Sequence, residues 1–401
     1  MASKGNLVVG QSGGPTSVIN GSLAGIVTEA KKHKAIGRIY GMSFAIEGFM
    51  KGELIDLGKL PSKTLNQLRS TPSSALGSSR LKLKDEHFPQ VLAMLKKHDI
   101  RYFHLIGGND SMDTIHRVEA YCRKEGYELF GIGVPKTVDN DLFGTDHTPG
   151  YPSAARYTAL SVLQSGLLAR DMMRVDQFVI YQSIGRDAGW LAASAAFAKK
   201  NEADAPHILV LPERPLNKER FLARVEETYR KHGFVSIVCG EGAVWENKVP
   251  VSASETKDKF GNTEFGAMGG TSCAMALHRI ITANFPGWRG EFQVTESLPM
   301  CAADRMSDLD RKEAFLLGQK AVALAVKGKS GLMAALVREK NNPYRVKIDA
   351  VPLSDVAVRA KPMLDDMIDK SGFMVTPKFQ EYLRPLVGKL PQYARIEKKL
   401  I

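Results

Sequence analysis

The chain has little cysteine. Only 4 of its 401 residues are cysteines, and they lie far apart, in no spacing that is typical of a metal cluster. Scattered thiols of this kind indicate a reducing compartment, so we expect reduced cysteines and a cytoplasmic protein. The four residues are Cys122, Cys239, Cys273 and Cys301.

Long apolar runs are also missing. No run approaches the ~18 residues that a membrane-spanning helix needs. The first residues, MASKGNLVVG, lack the long apolar core of a secretory signal. We therefore expect no membrane partner. The dinucleotide fingerprint G-x-G-x-x-G is absent too, which disfavours an NAD-dependent dehydrogenase.

Positive charge is in excess, with a formal net charge of +12. The basic residues are spread along the whole chain, and neither a long basic cluster nor a nucleic-acid-binding signature is present. This dispersion favours a small anionic substrate or a solvated surface. We expect no nucleic-acid partner.

Short apolar runs alternate with amphipathic segments, which predicts an α/β fold. The runs NLVVG, RYFHLI and LFGIGV indicate three strands, and QFVIYQ, HILVLP and FVSIVCGEGA indicate three more beyond a long helix near 153–170. Alternation of this length favours two α/β halves with mostly parallel sheets. The polar segment 245–268 predicts a loop or a β-hairpin.

Five polar loops follow predicted strands: SGGPTS, GGNDS, PKTVDND, IGRDAG and GEG. The carboxyl ends of parallel strands meet at one edge of a sheet, where such folds bind ligands. Glycines before a helix favour an anion at the helix N-terminus, although SGGPTS alone could be a plain turn.

PKTVDND is the most informative loop because it brings Lys136, Asp139 and Asp141 within six residues. One carboxylate could accept a proton, the other could help to hold Mg²⁺, and the ammonium could neutralise a phosphate. A solvated turn capped by Asp and Asn is the alternative.

The motifs SGGPTS, LGSSR, GGNDS, PKTVDND, IGR and GEG, in this order, resemble the phosphofructokinase family, and most closely its pyrophosphate-dependent branch. The resemblance implies two Rossmann-like three-layer α/β/α domains with mostly parallel sheets. It assigns residues 1–150 plus about 291–330 to a phosphate-donor domain. It assigns residues 151–290 plus about 331–401 to a sugar-phosphate domain.

The resemblance also implies roles for individual residues. Asp139 matches the catalytic base, with Lys136 and Asp110 beside it. The donor phosphates would contact Gly13, Arg80, Gly108 and Ser111. The sugar phosphate would contact Thr137, Val138, Asp139, Ile184, Gly185, Arg186, Glu241 and, by a weaker alignment of RGEFQVTESLPM, Arg289. Mg²⁺ would lie near Asn109 and Asp141.

Two substitutions in these motifs bear on the phosphoryl donor. Relatives that use ATP typically have GGDGS and PGT, where this chain has Asp110 in place of the second glycine and Lys136 before the threonine. A carboxylate at 110 fills the space of a nucleotide's α-phosphate and repels it, whereas an ammonium at 136 attracts a short pyrophosphate. The pattern therefore favours pyrophosphate over ATP.

The resemblance thus implies a Mg²⁺-dependent, glycolytic phosphotransferase that acts on fructose 6-phosphate and pyrophosphate. The alternatives are an ATP-dependent 6-phosphofructokinase and a non-catalytic regulatory subunit of the same fold. Two departures bear on site details: Asn109 replaces a metal-binding Asp, and Gln177 replaces an arginine of shorter bacterial enzymes. A homodimer or homotetramer is expected, and no residue identifies an effector site.

Overall fold

The computed structural model describes residues 3–252, 270–357, 360–394 and 396. The strands in these residues are β1 Gly5–Gln11, β2 Ile36–Met42, β3 Leu54–Asp56, β4 Ile100–Gly107, β5 Phe130–Pro135, β6 Phe178–Ser183, β7 Ile208–Val210, β8 Val235–Gly240, β9 Gly290–Val294, β10 Leu332–Asn341 and β11 Tyr344–Pro352. The α-helices are α1 Ile19–Ala30, α2 Ala45–Lys51, α3 Ser62–Leu68, α4 Phe88–Lys97, α5 Asn109–Lys124, α6 Tyr151–Asp171, α7 Trp190–Ser194, α8 Lys218–His232, α9 Cys273–Asn284, α10 Leu298–Cys301, α11 Asp308–Val326, α12 Leu353–Val356 and α13 Pro377–Val387.

The larger sheet has the strand order β11-β10-β5-β4-β1-β2-β3. Its central strands β1, β4 and β5 pair in parallel, and they are mostly apolar and buried at almost every position because helices cover both faces. Only the outer pairs β10–β11 and β2–β3 are antiparallel. The carboxyl ends of β1, β4 and β5 therefore lie side by side.

The smaller sheet has the order β7-β8-β6-β9, and all of its pairings are parallel. Its inner strands β6 and β8 are buried at every position. The predicted α/β class with mostly parallel sheets is confirmed, and all six predicted strands are present.

The predicted domain boundaries need a correction in the second half of the chain. Residues 331–401 were assigned to the same domain as 151–290, but β10 pairs with β5 and carries β11 with it into the larger sheet. Conversely, β9 pairs with β6 in the smaller sheet. Strands β10 and β9 pair with strands that are far away in sequence. The pattern of apolar residues predicts that a segment is a strand, but it does not predict which distant strand is its partner.

The two halves are joined at the start of α6. Both the backbone N–H of Gly150 and that of Ser153 donate to the buried carboxylate of Asp310 in α11, at 3.0 and 3.1 Å, and the Ser153 hydroxyl donates at 2.6 Å. This carboxylate caps α6 from another helix, at its positive dipole end. The junction directly follows the PKTVDND loop, so it fixes where that loop leaves the larger sheet.

No helix in the described ranges has the length and apolar content needed to cross a bilayer. Of the predicted loop or hairpin at 245–268, residues 253–268 lie outside the described residues. Just before them the chain reverses, and Val244 and Pro250 form an antiparallel bridge.

Helices α1 and α11 pack closely at Gly25, which gives a test of the packing. A Cβ at Gly25 would lie 2.1 Å from the backbone oxygen of Phe315, whereas one at Gly21 would make only ordinary van der Waals contacts, the nearest with Ala314 Cβ at 3.6 Å. We expect Gly25→Ala to lower the free energy of unfolding by about 1–3 kcal/mol, since rigid backbone must move apart. Gly21→Ala, on the same helix, should leave it unchanged or raise it by about 0.5–1 kcal/mol.

Denaturant or thermal unfolding of the two variants beside the wild type measures the difference. Equal midpoints for Gly25→Ala and Gly21→Ala would contradict the described crossing of α1 and α11.

Candidate active site

The loop after β1 forms one wall of a cavity of about 420 Å³. Gly13 has a left-handed φ of +76°, and its N–H donates to the backbone oxygen of Ser79 at 3.1 Å. The cavity is lined by Gly13, Gly14, Pro15, Phe44, Glu47, Ser78, Ser79 and Arg80. The structure thus brings the predicted donor residues Gly13 and Arg80 together, and Arg80 supplies positive charge at an exposed position.

The loop after β4 leads directly into α5, which begins at Asn109. A Cβ on Gly107 would lie 2.0 Å from the Ser111 hydroxyl oxygen, so the turn needs glycine there and Ser111 is packed against it. Gly108 flanks the first turn of α5, where free N–H groups and the helix dipole favour an anion.

Asp110 lies in that first turn with its side chain 74% exposed, and its carboxylate is 3.3 Å from the ammonium of Lys82. An exposed pair of this kind contributes only about 0–1 kcal/mol to stability. The position of Asp110 matters more: its carboxylate places a negative charge at the start of α5, directly after the glycines of the GGNDS loop. Lys82 was not predicted, because nothing in the sequence pairs it with residue 110.

The ammonium of Lys136 is buried under the first glycine loop. Its Nζ donates to the backbone oxygen of Gly14 at 2.5 Å. Burial lowers the pKa of Lys136 to about 8, and the negative charge of Asp139 opposes part of that shift. Because Lys136 follows β5 and Gly14 follows β1, this contact joins two loops into one site.

The tip of the PKTVDND loop carries the two predicted carboxylates. Burial, together with the neighbouring carboxylates of Asp141 and Glu241, raises the pKa of Asp139 to about 7. Between the carboxylates, Asn140 has a left-handed φ of +56°. The Thr137 hydroxyl accepts from the N–H of Asp139 at 3.1 Å, and Val138 packs into the core of the smaller sheet. The loop is therefore an ordered structure and not a solvated turn.

The loop after β6 approaches the loop after β8. Gly185 has a φ of +122°, and its N–H donates to Glu241 Oε1 at 3.2 Å. A Cβ on Gly242 would lie 1.6 Å from the backbone oxygen of Arg186, so the two loops touch through their backbones. Burial also raises the pKa of Glu241 to about 7.

Both sheets contribute charge to the same place. The pKa of Asp139, from the larger sheet, is raised by Glu241 and lowered by Arg186, both from the smaller sheet. Ile184 packs at the border of the core that includes Val138. The predicted residues Asp139, Arg186 and Glu241 thus lie close enough to interact electrostatically, although they come from different sheets.

The residues predicted to hold Mg²⁺ lie together. Asn109 Nδ2 donates to Asp141 Oδ2 at 3.2 Å, while Asn109 Oδ1 is buried without a hydrogen-bond partner. Among the described residues no three His, Cys, Asp or Glu side chains form a cluster that could hold a metal by itself. An amide oxygen and one carboxylate suit Mg²⁺ when substrate phosphates supply further oxygens, so the residues fit a substrate-bound metal.

Comparison with known proteins agrees with this geometry. The family model described as Phosphofructokinase matches residues 6–325. This chain belongs to the phosphofructokinase family. Among its relatives, the pyrophosphate–fructose 6-phosphate 1-phosphotransferase of Halomonas elongata is 36% identical and covers 98% of this chain and 96% of its own length. The sulfofructose kinase of Alkalicoccus urumqiensis is 31% identical, and the match covers 90% of this chain and 91% of that protein's length.

A solved structure resembles the whole chain. The pyrophosphate-dependent phosphofructokinase from Marinobacter aquaeolei superposes with a TM-score of 0.86 at 34% identity, covering 99% of this chain and 98% of that one. The family membership inferred from six motifs is therefore confirmed, as is the phosphofructokinase fold.

One predicted substrate residue of this phosphofructokinase lies elsewhere. Arg289 directly precedes β9. It lies where the parallel strands of the smaller sheet begin, since Gly290 pairs with Phe178 at the start of β6. Its side chain is 73% exposed and lies 3.7 Å from Asp176. The prediction of Arg289 as a phosphate ligand is not supported within this chain, because the segment aligned as a loop contains a strand.

Gln177 also lies where the strands of the smaller sheet begin, directly before β6. Its side-chain oxygen accepts from the N–H of Arg289 at 2.8 Å, so it fixes the turn before β9. The polar contact of Gln177 is thus structural in this family member.

A buried ionic network behind the PKTVDND loop was not predicted. The imidazole of His147 lies between Asp146 and Glu313, with nitrogen–oxygen distances of 2.7 Å to each carboxylate. Burial alone would lower the pKa of His147, but the two carboxylates raise it from 6.5 to about 9. Arg338 contacts the same Asp146 at 2.8 Å. The loop is therefore anchored by charges from α11 and β10.

This network predicts a pH dependence of stability. Because the folded-state pKa of His147 lies above the value of 6.5, its contribution is complete below pH 6.5 and is lost as the pH rises through about 9. We expect the free energy of unfolding to fall over that window in the wild type and to fall less in His147→Gln. His33→Gln, which removes a contact with Glu29 near the surface, is the control.

Unfolding curves at a series of pH values provide the measurement. Parallel pH profiles for the wild type and His147→Gln would show that His147 is not charged in the folded protein.

Proposed function

We propose that this chain is a pyrophosphate-dependent phosphofructokinase, which transfers a phosphoryl group from pyrophosphate to the 1-hydroxyl of fructose 6-phosphate. The position of Lys136 carries the proposal, because its ammonium is buried under the donor loop at Gly14. A short, highly charged donor gains from this cation, whereas the exposed carboxylate of Asp110, in the first turn of α5, repels a longer nucleotide. The names of the relatives from Halomonas elongata and Marinobacter aquaeolei support the same donor.

Asp139 would act as the base. A carboxyl with a pKa of about 7 is partly ionised at neutral pH, which suits transfer of a proton from a hydroxyl. The deprotonated 1-oxygen forms a bond to one phosphorus of pyrophosphate, the bond to the bridging oxygen breaks, and phosphate leaves. Lys136 and Arg80 would stabilise the negative charge on the transferring group.

The remaining residues would bind and orient the reactants. Asn109 Oδ1 and Asp141 would hold Mg²⁺ together with oxygens of pyrophosphate, and bound Mg²⁺ would neutralise charge on the donor. Glu241 would accept hydrogen bonds from sugar hydroxyls, and Arg186 would face an anionic group of the sugar phosphate. Assembly into a homodimer or homotetramer stays a prediction from the family resemblance.

Two alternatives are separated by one assay. An ATP-dependent enzyme would turn over fructose 6-phosphate with ATP, and a non-catalytic subunit would use neither donor, although Lys136, Asp139 and Asp141 are all present here. Initial rates with pyrophosphate and with ATP at fixed Mg²⁺ distinguish the three. We expect fructose 1,6-bisphosphate to form with pyrophosphate. Turnover only with ATP would refute the proposed donor.

Asp139→Asn tests the proposed base. The amide keeps the size of the side chain but does not accept the proton, so kcat should fall by about 10²–10⁴-fold while the affinities for both substrates change little. Asp113→Asn, on the exposed side of α5, is the control and should keep full activity. Unchanged kcat in Asp139→Asn would refute the role of Asp139.

The double variant Asp110→Gly, Lys136→Gly tests donor selection. Removing the carboxylate takes a negative charge and its bulk away from the start of α5, and removing the ammonium weakens the attraction for pyrophosphate. We expect kcat/KM to fall for pyrophosphate and to become measurable for ATP. If pyrophosphate activity is lost and no ATP activity appears, residues other than 110 and 136 select the donor.

A further inference from the structure

A short segment near the C-terminus, residues 360–363, connects loops of both sheets, and we call it the C-terminal strap. The N–H of Lys361 donates to the backbone oxygen of Asp141 at 2.7 Å, and Ala360 forms a bridge with Leu142. The backbone oxygen of Lys361 accepts from Trp190 Nε1 at 3.0 Å. The strap thus lies between the PKTVDND loop and the turn that begins α7.

The strap also holds the IGRDAG turn through a carboxylate. The N–H of Met363 donates to Glu213 Oε1 at 3.0 Å, and the same carboxylate accepts from the N–H of Gly189 at 2.9 Å. Met363 itself is buried in the core of the smaller sheet. One short segment therefore fixes the spacing between the loop that carries the base and the loop that carries Arg186.

The ammonium of Lys361 lies against the segment that follows the PKTVDND loop and also reaches Asn140 within the loop. It donates to the backbone oxygens of Thr145 and Asp146 at 3.0 and 2.8 Å, and it lies 3.4 Å from Asn140 Oδ1. It also lies 5.3 Å from the ring centroid of Trp190. These contacts replace water around the lysine cation, and they connect Asn140 in the loop with Thr145 and Asp146 after it.

Asn140 is the residue through which this cation would act. It holds a left-handed backbone between Asp139 and Asp141, which asparagine tolerates better than most residues. Its side-chain oxygen also accepts from the N–H of Thr148 at 3.1 Å, and its Nδ2 donates to the hydroxyl of Tyr382 in α13 at 3.0 Å. That hydroxyl in turn donates to the backbone oxygen of Asp146 at 3.0 Å.

We propose that Lys361 is a positioning residue for phosphoryl transfer: with Tyr382 it sets the orientation of Asp139 and Asp141 through Asn140, and the strap fixes their distance from the IGRDAG loop. The proposal rests on the proposed function only for its kinetic readout. Because displacement of a base by about 1 Å can cost 10²-fold in rate, we expect Lys361→Met to act mainly on kcat.

The first test measures order and does not need turnover. Hydrogen–deuterium exchange should be faster in Lys361→Met at both 139–148 and 185–190, while the remainder of the chain is protected as in the wild type. Lys378→Met, which removes an exposed pair with Asp366 in the same C-terminal region, should change neither loop. Unchanged exchange in both loops of Lys361→Met would overturn the proposal.

The second test measures kinetics in the same preparations. Lys361→Met should lower kcat by about 10²-fold with KM for pyrophosphate and fructose 6-phosphate within about threefold. Tyr382→Phe, which loses only a hydroxyl, should lower kcat less. Because both residues act on Asn140 and Asp146, the double variant should lose less than the product of the single effects.

The outcomes are separable. A wild type without turnover refutes the proposed function and leaves the exchange test to decide on the strap. With an active wild type, equal kcat in Lys361→Met, or a loss confined to KM, overturns the positioning role. If Lys361→Met does not fold, Tyr382→Phe with full kcat overturns it as well.

Discussion

The site depends on one buried cation. Lys136 places its ammonium under the backbone of Gly14, where burial lowers its pKa to about 8 and the surrounding groups must supply compensating polarity. A buried ammonium without partners would be costly, so the glycine loop and the carboxylates after β5 have to keep their geometry. A buried ammonium favours an anion as a further partner, which agrees with the phosphoryl-transfer chemistry of the family.

Burial has the opposite effect on the carboxyl groups of the site, because it raises their pKa values. Asp139 and Glu241 come from different sheets, and burial raises the pKa of each to about 7. The charge of Glu241 raises the pKa of Asp139, and the positive charge of Arg186 lowers the pKa of both groups in part. A carboxyl with such a pKa can exchange a proton near neutral pH, as the proposed role of Asp139 requires, whereas an exposed aspartate would be a weaker base. The loop tip is held by elements far away in sequence, among them α11, α13 and the C-terminal strap.

Much of the fold and the centre of the site could be predicted from the sequence. Strands of parallel sheets are continuous apolar runs, and their carboxyl ends converge, so the loops at 13, 108 and 136 had to meet. The position of β10–β11 could not be predicted, because an edge hairpin pairs with β5 about 200 residues earlier. The location of Arg289 could not be predicted for a related reason: the motif beside it is a strand, which places the residue where the parallel strands of the smaller sheet begin. Lys82 and Lys361 carried no local signal, since each matters only through a contact with a distant loop.

The central claim is that phosphate, and not a nucleotide, is the leaving group. The reverse reaction tests it most directly, because the protein must then accept either phosphate or ADP in the donor cleft. Fructose 1,6-bisphosphate and Mg²⁺ should be incubated with the protein and with one of these acceptors. We predict that pyrophosphate and fructose 6-phosphate form with phosphate. Formation of ATP from ADP, with no pyrophosphate from phosphate, would contradict the account.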